Sequence, residues 1–133
     1  MIKLIDFLKR ELEDKKHFSN LDLNIYETNS DQRRNVERWV ENIVNCSLDI
    51  AKILLASEKK PLPDTYKEML RLLCLLPGFK KDTALKLAQN AQLRNFLAYE
   101  YLDLRFCQIQ KFIQDADCAY KELIDFTNKL LRC

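Results

Sequence analysis

The chain has 133 residues, 47% of them hydrophobic and 32% charged, with a formal net charge of +2. That length admits a core, and that composition excludes a disordered chain. A balance of 22 basic against 20 acidic residues excludes recognition of nucleic acid by bulk charge, while leaving room for a local basic cleft.

Tight turns between strands draw on Gly, Asn and Asp. With a single glycine, Gly78, and three prolines, the expected class is all-α. Ile2, Ile5, Leu8 and Leu12 recur at helical spacing and predict a short amphipathic helix over residues 2–13. Residues 14–29 are mixed, with Leu21, Leu23, Ile25 and Tyr26 among polar neighbours. A long helix is expected from Ser30 or Asp31, either of which suits a helix cap. Its stripe runs through Val36, Trp39, Ile43, Ile50 and Leu54, about eight turns with one seam. Trp39 belongs to the core in this reading. Pro61-Leu62-Pro63 is the expected stop.

Asp64 or Thr65 then caps a third helix carrying Met69, Leu70, Leu73 and Leu76, which Pro77-Gly78 ends. A fourth helix is predicted from Asp82 through Leu87 and Ala91 into Arg94-Asn95, and a fifth from Leu104 to Arg132. Together these predict a single domain over residues 1–133, an up-and-down bundle of about five helices. The two longest helices have wide apolar stripes, and a homodimer would bury the surplus.

Five cysteines in no Cys-x-x-Cys pair read as reduced, helix-packing thiols of a cytoplasmic protein. One histidine in the chain argues against a zinc site, and no metal or cofactor is expected. No apolar run is long enough for a membrane span.

Residues 92–101 read Gln-Leu-Arg-Asn-Phe-Leu-Ala-Tyr-Glu-Tyr. This segment resembles the motif of HepT-like proteins of the HEPN superfamily: Arg-Asn, two largely apolar residues, a small or β-branched residue, His, any residue, Tyr. Arg94, Asn95, Leu97, Ala98 and Tyr101 fit that pattern, and Tyr99 stands at the histidine position. Leu48-Asp49-Ile50 resembles the family's Ile-Asp-Ile-like step. Pro63-Asp64-Thr65-Tyr66 resembles its Pro-x-Ser/Thr-Tyr loop. The four pieces occur in family order and cover roughly residues 30–130.

The resemblance implies an HEPN-like bundle, metal-independent RNA cleavage, and a site at Arg94, Asn95 and Tyr99. In that chemistry a base removes the ribose 2′-OH proton and a cation stabilises the phosphate. Arginine suits the cation, because its planar fork binds phosphate oxygens in pairs. A phenol, with a reference pKa of about 10, is a poor base at neutral pH, so the expected activity is weak or lost. The resemblance also implies a toxin–antitoxin pairing with an MntA-like nucleotidyltransferase that adds AMP to the motif tyrosine, here Tyr101. The alternative is a non-catalytic substrate-binding or docking subunit of a nucleotidyltransferase.

Several residues carry a plainer reading beside the functional one. Arg94 also suits a charge carried out from a helix end, and Asn95 a helix C-cap. Asp49 is the acid that would pair with Arg94, and Lys80-Lys81 would help hold RNA. Arg10 and His17, six residues apart between them, match a spacing used by some HEPN enzymes, but chance accounts for the pair on an amphipathic helix.

Overall fold

The computed structural model describes residues 1–98 and 101–132. In chain order its α-helices are α1 (Ile2–Glu13), α2 (Leu23–Thr28), α3 (Ser30–Ser57), α4 (Tyr66–Arg71), α5 (Lys81–Ala91), α6 (Leu93–Phe96) and α7 (Leu102–Arg132). Short 3-10 turns follow α1 (Asp14–Phe18) and α4 (Leu72–Leu75). The result is an all-α bundle, with no strand among the described residues.

The seam of α3 organises the bundle. Val36, Val40, Ile43, Val44, Ile50 and Leu55 are wholly buried on it, and α1, α2, α4, α5 and α7 all pack against this helix. Each such side chain contributes about 1.5–3 kcal/mol of burial. Trp39 is core, as expected, at 3% exposure. Its ring lies between Phe18, 5.1 Å away, and Phe112, 5.5 Å away and edge-on. Its indole N–H donates to the Glu11 carbonyl, so one side chain ties α1 and α7 to α3.

The α3 cap differs from expectation, and the α4 cap is one of the two residues expected. Asn29, not Ser30 or Asp31, caps α3, its side-chain oxygen accepting the Gln32 N–H at 3.1 Å. Thr65, not Asp64, caps α4 through the Glu68 N–H. The C-terminus of α3 precedes Pro61 by several residues. Lys59 adopts φ +55°, its N–H reaches the Ala56 carbonyl, and the Lys60 N–H reaches the Leu55 carbonyl. This pair of bonds is a Schellman motif, which ends the helix without help from the prolines. Pro77-Gly78 behaves as read: Gly78 takes φ +86° and the Phe79 N–H bonds back to the Leu76 carbonyl, in the residue pattern of a type II turn.

A polar cluster joins α2, α3 and α7. Glu37 receives an Arg105 Nη1 hydrogen bond at 2.6 Å and the Tyr26 hydroxyl at 3.2 Å. The two charged side chains are only 18% and 16% exposed. Arg33 on α3 donates to the Tyr26 and Glu27 carbonyls, closing α2 onto α3. Burial, and then the facing Glu37 carboxylate, push the Tyr26 phenol up to about 12.

The cysteines need a correction. Among the described cysteines Cys46 alone is buried, its thiol donating to the Leu4 carbonyl and pushed up to about 11 by burial. Cys74, Cys107 and Cys118 are exposed free thiols, and Cys133 lies outside the described residues. Among those residues, no helix is long and apolar enough to cross a membrane.

Two outcomes follow from this packing. Lys59→Gly removes the strain of a side chain at positive φ. It should stabilise the fold by about 0.5–1 kcal/mol, raising the thermal midpoint by a few degrees; an unchanged or lowered midpoint contradicts the capping argument. The second concerns alkaline pH. The folded-state value of Tyr26 lies above its unfolded value, so its contribution is complete below pH 10 and lost as pH rises towards 12. Urea unfolding should show stability falling across that interval. Tyr26→Phe should shrink the fall by about 2 kcal/mol, and an equal fall in both proteins would remove Tyr26 as its source.

Candidate functional site

The motif segment does not continue the fourth helix. Helix α5 stops at Ala91, and after Gln92 the chain makes one separate turn, α6. The Leu93 side chain anchors that turn at 5% exposure, and the Leu97 N–H closes it onto the Leu93 carbonyl. Because Leu93 points inward, its neighbour Arg94 points to a different face. Arg94 is half-buried and Asn95 is exposed. Asn95 lies inside α6, whose C-cap is Leu97, so the C-cap reading of Asn95 does not hold.

Arg94 enters an open cleft of about 510 Å³ between α6, the start of α4 and α3. Across it lies the Pro63–Tyr66 loop, the other distinctive piece of the sequence pattern. The Arg94 guanidinium carbon sits 5.2 Å from the centre of the Tyr66 ring. Tyr66 is placed there by the Thr65 cap, since it is the first residue of α4. A cation over a ring face at this distance is worth about 0.5–1 kcal/mol at a solvent-accessible site. It restrains the guanidinium, whose planar fork of N–H donors suits a planar anion.

Asn95 and Lys67 add a carboxamide and a second cation to the cleft, and Glu41 and Asp64 add two carboxylates. The lining is therefore mixed in sign, and Arg94 makes no ion pair among the described residues. Sequence order pointed to Asp49 as the acid beside Arg94. In the structure the acids that line the Arg94 cleft are Glu41 and Asp64. Asp49 lies exposed on α3, outside the cleft, eight residues or roughly 12 Å further along the helix.

The remaining site residues sit elsewhere. Tyr101 precedes α7 with its ring 70% exposed. Its carbonyl accepts the Arg105 N–H at 3.2 Å, which ties it to the residue that pairs with Glu37. It is not among the residues lining the Arg94 cleft. Tyr99 lies outside the described residues. Lys80 and Lys81 are at the opposite end of α5, roughly 15 Å along it. Lys80 faces Glu122 at 3.6 Å beside a separate groove of about 440 Å³, so it does not serve the Arg94 cleft. Arg10 and His17 border different clefts, and His17 faces Asp14 at 3.6 Å, which fits the chance reading of their spacing. Among the described residues no group of His, Cys, Asp and Glu is arranged to hold a metal ion.

Sequence reasoning missed two contributors. The Tyr66 ring was quoted only as part of a loop pattern, and nothing in linear spacing revealed that it would stack on Arg94. Gln92, one residue before α6, borders this cleft and a second one on the other side.

Residues 8–130 match the family model described as Ribonuclease HepT-like. No curated protein matches the chain significantly.

The stacked geometry has its own test. The Arg94 side-chain protons should show ring-current shifts by NMR in the native protein. Tyr66→Phe should retain these shifts and Tyr66→Leu should abolish them. Equal shifts in all three proteins would mean that Arg94 is not held by that ring.

Proposed function

The chain belongs to the HepT-like ribonuclease family, and from that premise we propose that it is the HepT-like component of a toxin–antitoxin pair with an MntA-like nucleotidyltransferase. The observation that carries this reading is the half-buried Arg94 held over Tyr66 in an open cleft, with Asn95 beside it. In this reading Arg94 grips an RNA phosphate through two N–H edges, and Asn95 adds a hydrogen bond to a neighbouring oxygen. Two protomers form a homodimer that brings both arginines to one RNA path. That doubling matters, because a single cleft also carries Glu41 and Asp64, whose charges oppose a polyanion.

Cleavage needs a base for the 2′-OH proton. The only histidine in the chain is His17, which is remote from α6 in sequence and borders a different cleft. Tyr99 occupies the motif position, and a phenol is overwhelmingly protonated at neutral pH. The proposed activity is therefore weak or lost, while phosphate binding persists. The same substitution favours the second reading, a substrate-binding or docking subunit for the nucleotidyltransferase, which needs the cleft and not the base.

Tyr101 suits AMP addition, because its ring is largely exposed and the phenol oxygen must reach the α-phosphate of ATP. In that step the phenol loses its proton, an oxygen–phosphorus bond forms and pyrophosphate leaves. The added phosphate, at the start of α7 beside α6, then opposes an incoming RNA phosphate by like charge.

Three measurements test the proposal. A labelled RNA should bind the protein and be cleaved slowly or not at all. Arg94→Ala should weaken binding about tenfold, the worth of one charge-assisted phosphate contact, and Tyr99→His should raise cleavage. Mass spectrometry after incubation with the partner nucleotidyltransferase and ATP should place an adenylyl group on Tyr101, and Tyr101→Phe should prevent it. Rapid cleavage by the native chain that survives Arg94→Ala would sink the assignment of the site.

A further inference from the structure

Helix α6 is a ridge with a cleft on each side. Arg94 and Asn95 face one of them. The other lies between α5, α6 and α7, has a volume of about 200 Å³, and shares Gln92 with the first. Its walls follow from helical periodicity. Lys86, Gln89 and Asn90 form one stripe on α5, and Gln108, Lys111 and Asp115 form a facing stripe on α7. The two helices run antiparallel here, as Thr83 bonds to Glu122 while Lys86 meets Asp115 at 2.8 Å. That ion pair closes the cleft at the end remote from α6. Leu93 and Phe112, 5% and 2% exposed, form an apolar floor.

The distinguishing feature is the rim. Gln89, Asn90, Gln92 and Gln108 place four carboxamides around one small cleft. Among the described residues the glutamines make no side-chain hydrogen bond. Asn90 is nine-tenths buried and its Nδ2 is turned inward towards the adjacent Tyr120 hydroxyl. The unspent donors and acceptors of the rim are therefore those of the three glutamines. A carboxamide offers one acceptor and two donors in a plane, which matches the edge of a nucleobase. The volume is below the roughly 300–1,000 Å³ of drug-sized sites and suits one ring system. Gln92 and Arg94 are two residues apart on the same ridge, within the span of a single nucleotide.

We propose that this cleft is a nucleobase subsite. It would take one unstacked base of a single-stranded RNA whose phosphate lies on Arg94, and discriminate between bases through the carboxamides. The inference rests on the Arg94 reading for the phosphate but makes a separate claim about sequence preference.

The test uses the full chain with fluorescent oligo(rA), oligo(rC) and oligo(rU), measuring affinity by anisotropy. The native protein should prefer one base by about tenfold, the scale of a hydrogen-bonded base contact. Gln89→Ala/Gln108→Ala should reduce the preference to about twofold or less. Gln108→Glu, which replaces a donor with an acceptor, should shift it towards bases that present an amino group. Arg94→Ala should weaken all three strands alike and keep the preference. A native protein without preference, or a preference untouched by both glutamine variants, overturns the subsite. If the glutamine variants abolish the preference while Arg94→Ala changes nothing, the subsite stands and the Arg94 reading fails.

Discussion

The burial of one face of α3 constrains everything else in this molecule. A helix of 28 residues with twelve buried positions cannot satisfy that face with a single neighbour. The chain lays five other helices against it. Each neighbour is then fixed in position by contacts along α3, and the loops between neighbours are placed as a consequence. The Trp39 ring, held between Phe18 and Phe112, and the Glu37–Arg105 bond locate α1 and α7 on the same rod.

The candidate site is a product of that placement. Helix α4 reaches the Arg94 cleft because it packs on both α3 and α5, with its Thr65 cap setting the first turn. Helix α6 reaches it because α5 ends at Ala91 and the chain must reverse into α7. Arg94 is therefore carried on a single turn between two packed helices, held from below by Leu93 and from the side by Tyr66. The largely buried Glu37–Arg105 pair contributes by locating the start of α7. Removing one member of such a pair leaves an uncompensated charge, so that end of the bundle is rigidly specified.

The chemistry available in the cleft is lopsided. It holds two cations, two carboxamides and two carboxylates, a set equipped to bind an anion more than to move a proton at neutral pH. The family match spans the scaffold that carries this cleft. The residue that departs from the sequence pattern is Tyr99, at the position where the pattern has histidine.

The long helices, the core placement of Trp39 and the Pro77-Gly78 turn were legible in the sequence, because hydrophobic periodicity and backbone restrictions are local properties. So was the family, because four short pieces of its pattern stand in a recognisable order. The caps were legible only to within a residue or two, since Asn29, Ser30 and Asp31 are all competent and the backbone geometry selects among them. The end of α3 was misplaced because a lysine at positive φ leaves no trace in composition. What only the tertiary structure decided was which residues meet. Tyr66 and Arg94 are 28 positions apart in the chain, Glu41 rather than Asp49 lines the Arg94 cleft, and the carboxamides on α5 and α7 converge across a cleft. Each of these is set by how α4, α5 and α7 lie on α3, a packing outcome that no spacing along the chain encodes directly.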